Sequence, residues 1–177
     1  MIHPWHDVPI GDDAPQLVRA VVEVPRGTTT KYEIDKELGL MGISRILYPP
    51  IPYPANYGFI PQTLDDDGDP LDTLVVMQNP VTPLTLLWAR PIGVVHLSDR
   101  GETDDKVICV HEDDPSHDNH REFDDLPKHE KETLHWFFDD YQDIMHRTTN
   151  VEGFFGVERA YEVIERCRVN YQEKFGS

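Results

Sequence analysis

Apolar and polar residues alternate with the short period of β-strands over the first two thirds of the chain, and with the longer period of helices over the last third. The run LVRAVVEVP is rich in β-branched residues and stops at Pro25; the turn PRGTTT follows, and KYEID then alternates in period two. That alternation sets Lys31, Glu33 and Asp35 on one face and Tyr32 and Ile34 on the other, so the polar face is either solvated or the wall of a site. LDTLVVM reads as a short buried strand, and ARPIGVVHLSD and DKVICVHED flank the polar turn RGETD as a hairpin. Beyond the start signal DDLP, Leu134, Phe137, Phe138, Tyr141 and Met145 follow the spacing of one helix face, and Ala160, Ile164, Cys167 and Tyr171 that of a second. Strands first and two helices late predict an α+β domain, most simply a small β-barrel with helices packed on it. HEDDPSHDNHREFDD reads as a solvated loop.

Length and charge narrow the picture. The chain has 177 residues, enough for one domain with a real core, and the expected organisation is a single domain over residues 1–177. No stretch approaches the roughly 18 consecutive apolar residues of a membrane span, and the start MIHPWHDVPIGDD has neither a basic nor an apolar leader region. A soluble, cytoplasmic protein without membrane partners is expected. Cys109 and Cys167 form no CxxC pair and read as reduced, buried packing residues. With 33 Asp plus Glu against 16 Lys plus Arg, the formal net charge is −17, which argues against a nucleic-acid partner. The acids are interleaved with aromatic and β-branched residues, which argues against disorder. An acidic surface of this kind also fits a high-salt habitat, where screening makes self-repulsion tolerable.

The densest charge lies in DDDGDPLDT, five carboxylates within eight positions. A solvated acidic loop is the plain reading and a divalent-cation site the sharper one. A calcium loop of the EF-hand type is excluded: counted from Asp65, the sixth position is Pro70 and the twelfth Val76, where glycine and glutamate are needed. Asp67, Asp69 and Asp72 remain around a tight turn, with Gly68 permitting an unusual backbone and Pro70 limiting its freedom. Convergent carboxylates repel one another unless something positive sits among them. Hard oxygen ligands without thiolates favour magnesium or manganese over zinc. The hairpin segment SDRGETDDK adds Asp99 and Asp104, with Lys106 on the strand face of Asp104, and two acidic segments suit a multi-metal site. His3, His6, His117 and His120 are not expected to be ligands.

In chain order, VVEVPRGTTTKYEID, SRIL, YPANYGFIPQTL, DGDPLDTLVV, RPIGVVHLSD, ETDDKVICV and LHWFFDDYQ together make the sequence resemble the soluble family I inorganic pyrophosphatases of prokaryotic type. The stretch DGDPLD fits the signature of that family, Asp, a small residue, Asp, Pro, an apolar residue and Asp. The resemblance implies a small closed OB-like barrel with a five-stranded core, extra hairpins and two α-helices in the C-terminal half. It implies magnesium-dependent hydrolysis of pyrophosphate to two phosphates by in-line attack of a metal-bridged water, several Mg2+ per site with Mn2+ as substitute, and a homohexamer. Asp67, Asp72, Asp99 and Asp104 match metal positions, and Asp69 matches the proton acceptor. Lys31, Arg45, Tyr57 and Tyr141 match phosphate contacts, Glu33 and Lys106 further metal and phosphate contacts, and Glu23 and Tyr53 the site wall. Asp65 and Asp66 are expected to be solvated neighbours.

Two positions depart from the family pattern: Gln142 stands where many bacterial relatives carry lysine, and Arg100 where an acidic residue is common. The competing readings are a divalent-cation-binding domain without catalysis and a nucleotide-handling enzyme. The latter has no GxxxxGK[ST] phosphate loop in this sequence.

Overall fold

A computed structural model describes residues 2–48, 50–99, 102–145 and 149–176, without the side chains of residue 99, residue 102, residues 140–145 and residue 149. The strand-period runs form β1 (Val18–Val24), β2 (Thr30–Ile34), β5 (Asp72–Val76), β6 (Leu86–Asp99) and β8 (Lys106–His111). Four further strands join them: β3 (Met41–Ile46), β4 (Asn56–Phe59), β7 (Glu102–Thr103) and β9 (Thr149–Gly156). The helical periods form α1 (Lys128–Met145) and α2 (Val157–Phe175).

One sheet runs in the order β1-β4-β5-β8-β6, and β6 also pairs with β1, so the five strands form a closed circuit of pairings. β7 and β9 attach to β6, and β2 and β3 form a separate two-stranded ribbon. All pairs are antiparallel except β5 with β8. The predicted hairpin is present as the antiparallel β6–β8 pair, with β7 inserted in its turn.

Because the sheet is covered on both faces, its strands are apolar in both phases of the alternation. On β8, Ile108 and Val110 enter a cluster closed by Leu134, Phe137 and Phe138 of α1. Val107 and Cys109 point the other way, into a cluster with Ala160, Val163, Ile164 and Cys167 of α2. The helix faces read from the sequence are therefore the buried ones, apart from Tyr141 and Met145, whose side chains lie outside the described residues. Both cysteines are free and buried, and burial pushes the Cys109 thiol up to about 12, leaving it a neutral packing group. Gly58 marks the tightest strand approach: a Cβ there would lie 1.9 Å from the Val21 carbonyl oxygen.

The 111–125 segment is not simply a solvated loop. Asp114 and His117 are buried, Asp114 Oδ2 accepts from the Gln78 N–H at 2.9 Å, and His117 Nε2 lies 3.3 Å from Glu130 Oε2 on α1.

Candidate active site

The acidic turn is built by its own backbone. Gly68 has φ +88°, a conformation costly for any side chain, and its N–H donates to the Asp65 carbonyl at 3.1 Å. The Asp65 N–H donates to the Asp69 carbonyl at 2.8 Å, and the Asp69 N–H to Asp67 Oδ1 at 2.9 Å. Thr63 fixes the exit, accepting from the Leu71 N–H at 3.0 Å, so the chain enters β5 with Asp72 as its first residue.

From there the sheet register completes the site. The parallel β5–β8 pair sets Asp72 opposite Lys106, and β2 contributes Lys31 and Glu33 to the lining. One pocket is lined by Lys31, Glu33, Tyr57, Asp67, Asp69, Asp72, Asp104 and Lys106, together with Glu23. The eight besides Glu23 come from four separate stretches of the chain, brought together by strand pairing.

The buried Lys106 is the electrostatic centre. Its Nζ lies 2.7 Å from Asp72 Oδ2 and 2.8 Å from Asp104 Oδ1. Burial alone would lower its pKa, but Asp104 and Asp72 hold the ammonium well above its usual range. Tyr57 donates its hydroxyl to Asp72 Oδ2, and Lys106 Nζ stands 5.8 Å from the Tyr57 ring centre. Desolvation by the pocket walls, followed by the charges of Asp72 and Asp104, pushes Asp67 up to about 6 although the residue reaches solvent. Burial pushes Glu23 up to about 8, with Asp72 and Glu33 adding to it, and its Oε1 accepts the Ile34 N–H at 2.8 Å. Glu33 is shifted the opposite way: burial favours its protonated form, but the paired Lys31 outweighs it and holds the carboxylate below its usual range.

Several expectations need correction or extension. Lys36 was not anticipated; it follows β2 in the turn to β3, lines the pocket and pairs with Asp69. Its signal was its place in KYEIDK, one polar residue beyond the alternating run. Arg45 lies across the ribbon from Lys31 in register, but its side chain is exposed and not among those lining the pocket. Tyr53 is buried behind the wall, its ring 5.3 Å from that of Tyr57. Asp65 is not solvated: it is buried and paired with Arg166 of α2 at 2.9 Å, and burial pushes its carboxyl up to about 6. Asp66 accepts the Thr103 hydroxyl at 2.7 Å. Asp99 ends β6 and Tyr141 lies within α1, but both side chains, that of Gln142 and the whole of Arg100 lie outside the described residues.

Among the described residues, no three carboxylate, imidazole or thiolate groups already stand in an ion-holding arrangement. The donor chemistry nevertheless fits a hard divalent cation. Asp67, Asp72 and Asp104 offer only oxygen; burial first, and then the charges of Asp72 and Asp104, raise Asp67, and a cation among them would relieve that repulsion. Lysines for oxyanions beside carboxylates for cations define a site for a metal-associated polyanion.

Comparison with known proteins narrows that class. The family model described as inorganic pyrophosphatase matches residues 20–172. Soluble inorganic pyrophosphatase 2 of Chlamydomonas reinhardtii is 48% identical over 173 residues, covering 98% of this chain and 90% of its own length. Soluble inorganic pyrophosphatase 1 of Arabidopsis thaliana is 44% identical over 171 residues, covering 97% and 81%. The crystal structure of inorganic pyrophosphatase from Thermus thermophilus superposes with a TM-score of 0.90 at 35% identity, covering 97% of this chain and 99% of the other. The chain belongs to the inorganic pyrophosphatase family.

Proposed function

We propose that this chain is a hydrolase that cleaves inorganic pyrophosphate into two phosphates. The observation that carries this reading is the pocket, where Lys31, Lys36 and Lys106 stand beside Asp67, Asp69, Asp72 and Asp104 in a member of the pyrophosphatase family. A cation-storage domain would need the carboxylates but not the three lysines. Phosphoryl transfer is catalysed mainly by positioning and by neutralising charge on the transferred and leaving groups, and this pocket supplies groups for both.

Within that reading, Asp67, Asp72, Asp99 and Asp104, with Glu33, hold divalent ions, Mg2+ first and Mn2+ as substitute. Bound there, the ions supply neutralising charge and lower the pKa of water. Lys31, Arg45, Tyr57, Lys106 and Tyr141 bind phosphate oxygens, and Lys36 joins them by its place in the pocket. Asp69 accepts the proton of the attacking water. Lys36 pairs with Asp69 at the pocket lining, and the half-exposed lysine can turn toward an entering phosphate.

We read residues 1–177 as one domain, the closed strand circuit as the OB-like barrel of the resemblance, and the enzyme as a cytoplasmic homohexamer with a surface suited to salt. Among the described residues no helix is long and apolar enough to cross a membrane. The activity is tested by phosphate release from pyrophosphate and from ATP, each with and without Mg2+. Metal-dependent cleavage of pyrophosphate with little of ATP is expected, and the reverse preference overturns the proposal.

A further inference from the structure

Outside the pocket lining, a buried polar cluster among the described residues ties the two acidic loops to α2. Asp65 and Asp105 are almost wholly buried, at 5% and 1% exposure; Asp65 stands two residues before Asp67 and Asp105 directly follows Asp104. Arg166 Nη2 reaches both, 2.9 Å from Asp65 Oδ1 and 3.1 Å from Asp105 Oδ2. The other Asp105 oxygen is bound by His96 Nδ1, and Arg159 Nε donates to His96 Nε2 at 3.0 Å, so the imidazole carries its proton on Nδ1 and gives it to Asp105. Two more ties run alongside. The Leu64 N–H donates to the Cys167 carbonyl at 2.9 Å, rooting the first loop on α2, and Thr103 donates to Asp66 across the loops.

We propose that Arg166 is a positioning residue for the pyrophosphatase site, a clamp from α2 that fixes the separation of the 65–69 and 103–106 loops and so of Asp67 and Asp104. Two buried carboxylates side by side repel unless a cation stands between them, and Arg166 is that cation. Its two contacts fall on different loops, so removing the guanidinium drives the loops apart rather than loosening one of them. The backbone transmits the effect. Asp65 anchors both ends of the acidic turn through Gly68 and Asp69, and Asp105 is bonded directly to Asp104 and Lys106. Groups that orient metal-binding side chains from behind typically change metal affinity about 10- to 100-fold when removed.

The inference rests on Asp67 and Asp104 holding divalent ions, and the experiment separates the two ideas. Mn2+ is titrated by calorimetry into the wild type, Arg166→Met, Asp105→Asn and Asp67→Asn, each checked for native circular dichroism, and phosphate release is followed against Mg2+ concentration. Expected are Mn2+ affinities about 10-fold weaker in Arg166→Met and Asp105→Asn, a Mg2+ midpoint raised by a similar factor, and turnover at saturating Mg2+ within about threefold of wild type. Should Arg166→Met not fold, Asp105→Asn decides, since its isosteric amide leaves Arg166 paired with Asp65. Wild-type Mn2+ affinity in the folded clamp variants, with weakened binding in Asp67→Asn, overturns the clamp. Unchanged binding in Asp67→Asn overturns the underlying metal assignment instead.

Discussion

Asp72 and Lys106 face each other across the parallel β5–β8 pair, with the ammonium nitrogen 2.7 Å from Asp72 Oδ2 and 2.8 Å from Asp104 Oδ1. The contact joins the acidic turn to the hairpin and holds a cation where two carboxylates would otherwise repel. Removing one partner of a buried pair leaves the others uncompensated, at a typical cost of about 3–5 kcal/mol.

Lys106→Met is therefore expected to lower the unfolding free energy in chelator by about 3 kcal/mol, with part of the loss recovered on adding Mg2+. Its kcat/KM for pyrophosphate should fall at least about 100-fold. Urea unfolding with and without Mg2+, alongside phosphate release, checks both.

Glu23 gives a pH signature. Burial raises its folded pKa to about 8 from an ordinary value of 4.5, so the native state holds a proton that the unfolded chain releases. Stability from this group is complete below the unfolded value and is lost as pH rises through about 8. In metal-free protein, the unfolding free energy should decline by a few kcal/mol between roughly pH 5 and pH 9, and Glu23→Gln should flatten that decline. A slope equally steep in the variant would assign the effect to another group.

Gly58 tests how closely the sheet must pack to hold the site. With a Cβ placed 1.9 Å from the Val21 carbonyl, Gly58→Ala must push β4 off β1, at a cost of about 3 kcal/mol. Because Tyr57 is the adjacent residue, activity at temperatures where the variant is folded should fall too. Thermal unfolding and phosphate release measure the two effects.

How far the sequence disclosed this arrangement depends on where each signal came from. The strands rich in β-branched residues, β1, β5 and β8, and both helix faces were legible, because burial on both sides or on one stripe leaves a trace in the sequence. β4 and β9 were not: Pro54 and Asn56 in YPANYGF and Gly153 and Gly156 in VEGFFG interrupt the strand pattern, although Gly58 serves a close strand approach. β3 carries no trace because it is almost wholly exposed. DGDPLD was legible because its pattern lies within one short stretch of the chain. Asp65 and Asp105 were not, since burying these carboxylates depends on an arginine 101 and 61 residues away in sequence. Lys36 was missed because the ribbon carries it into the pocket from a turn without a pattern of its own.

The proposed hydrolysis depends most on Asp69 as the acceptor of the water proton. Its most direct test is the rate of phosphate release by Asp69→Asn at saturating Mg2+, with Mn2+ binding measured on the same preparation. Loss of at least about 100-fold in kcat with Mn2+ affinity near that of the wild type is the predicted result. Wild-type turnover in the folded variant would contradict the account.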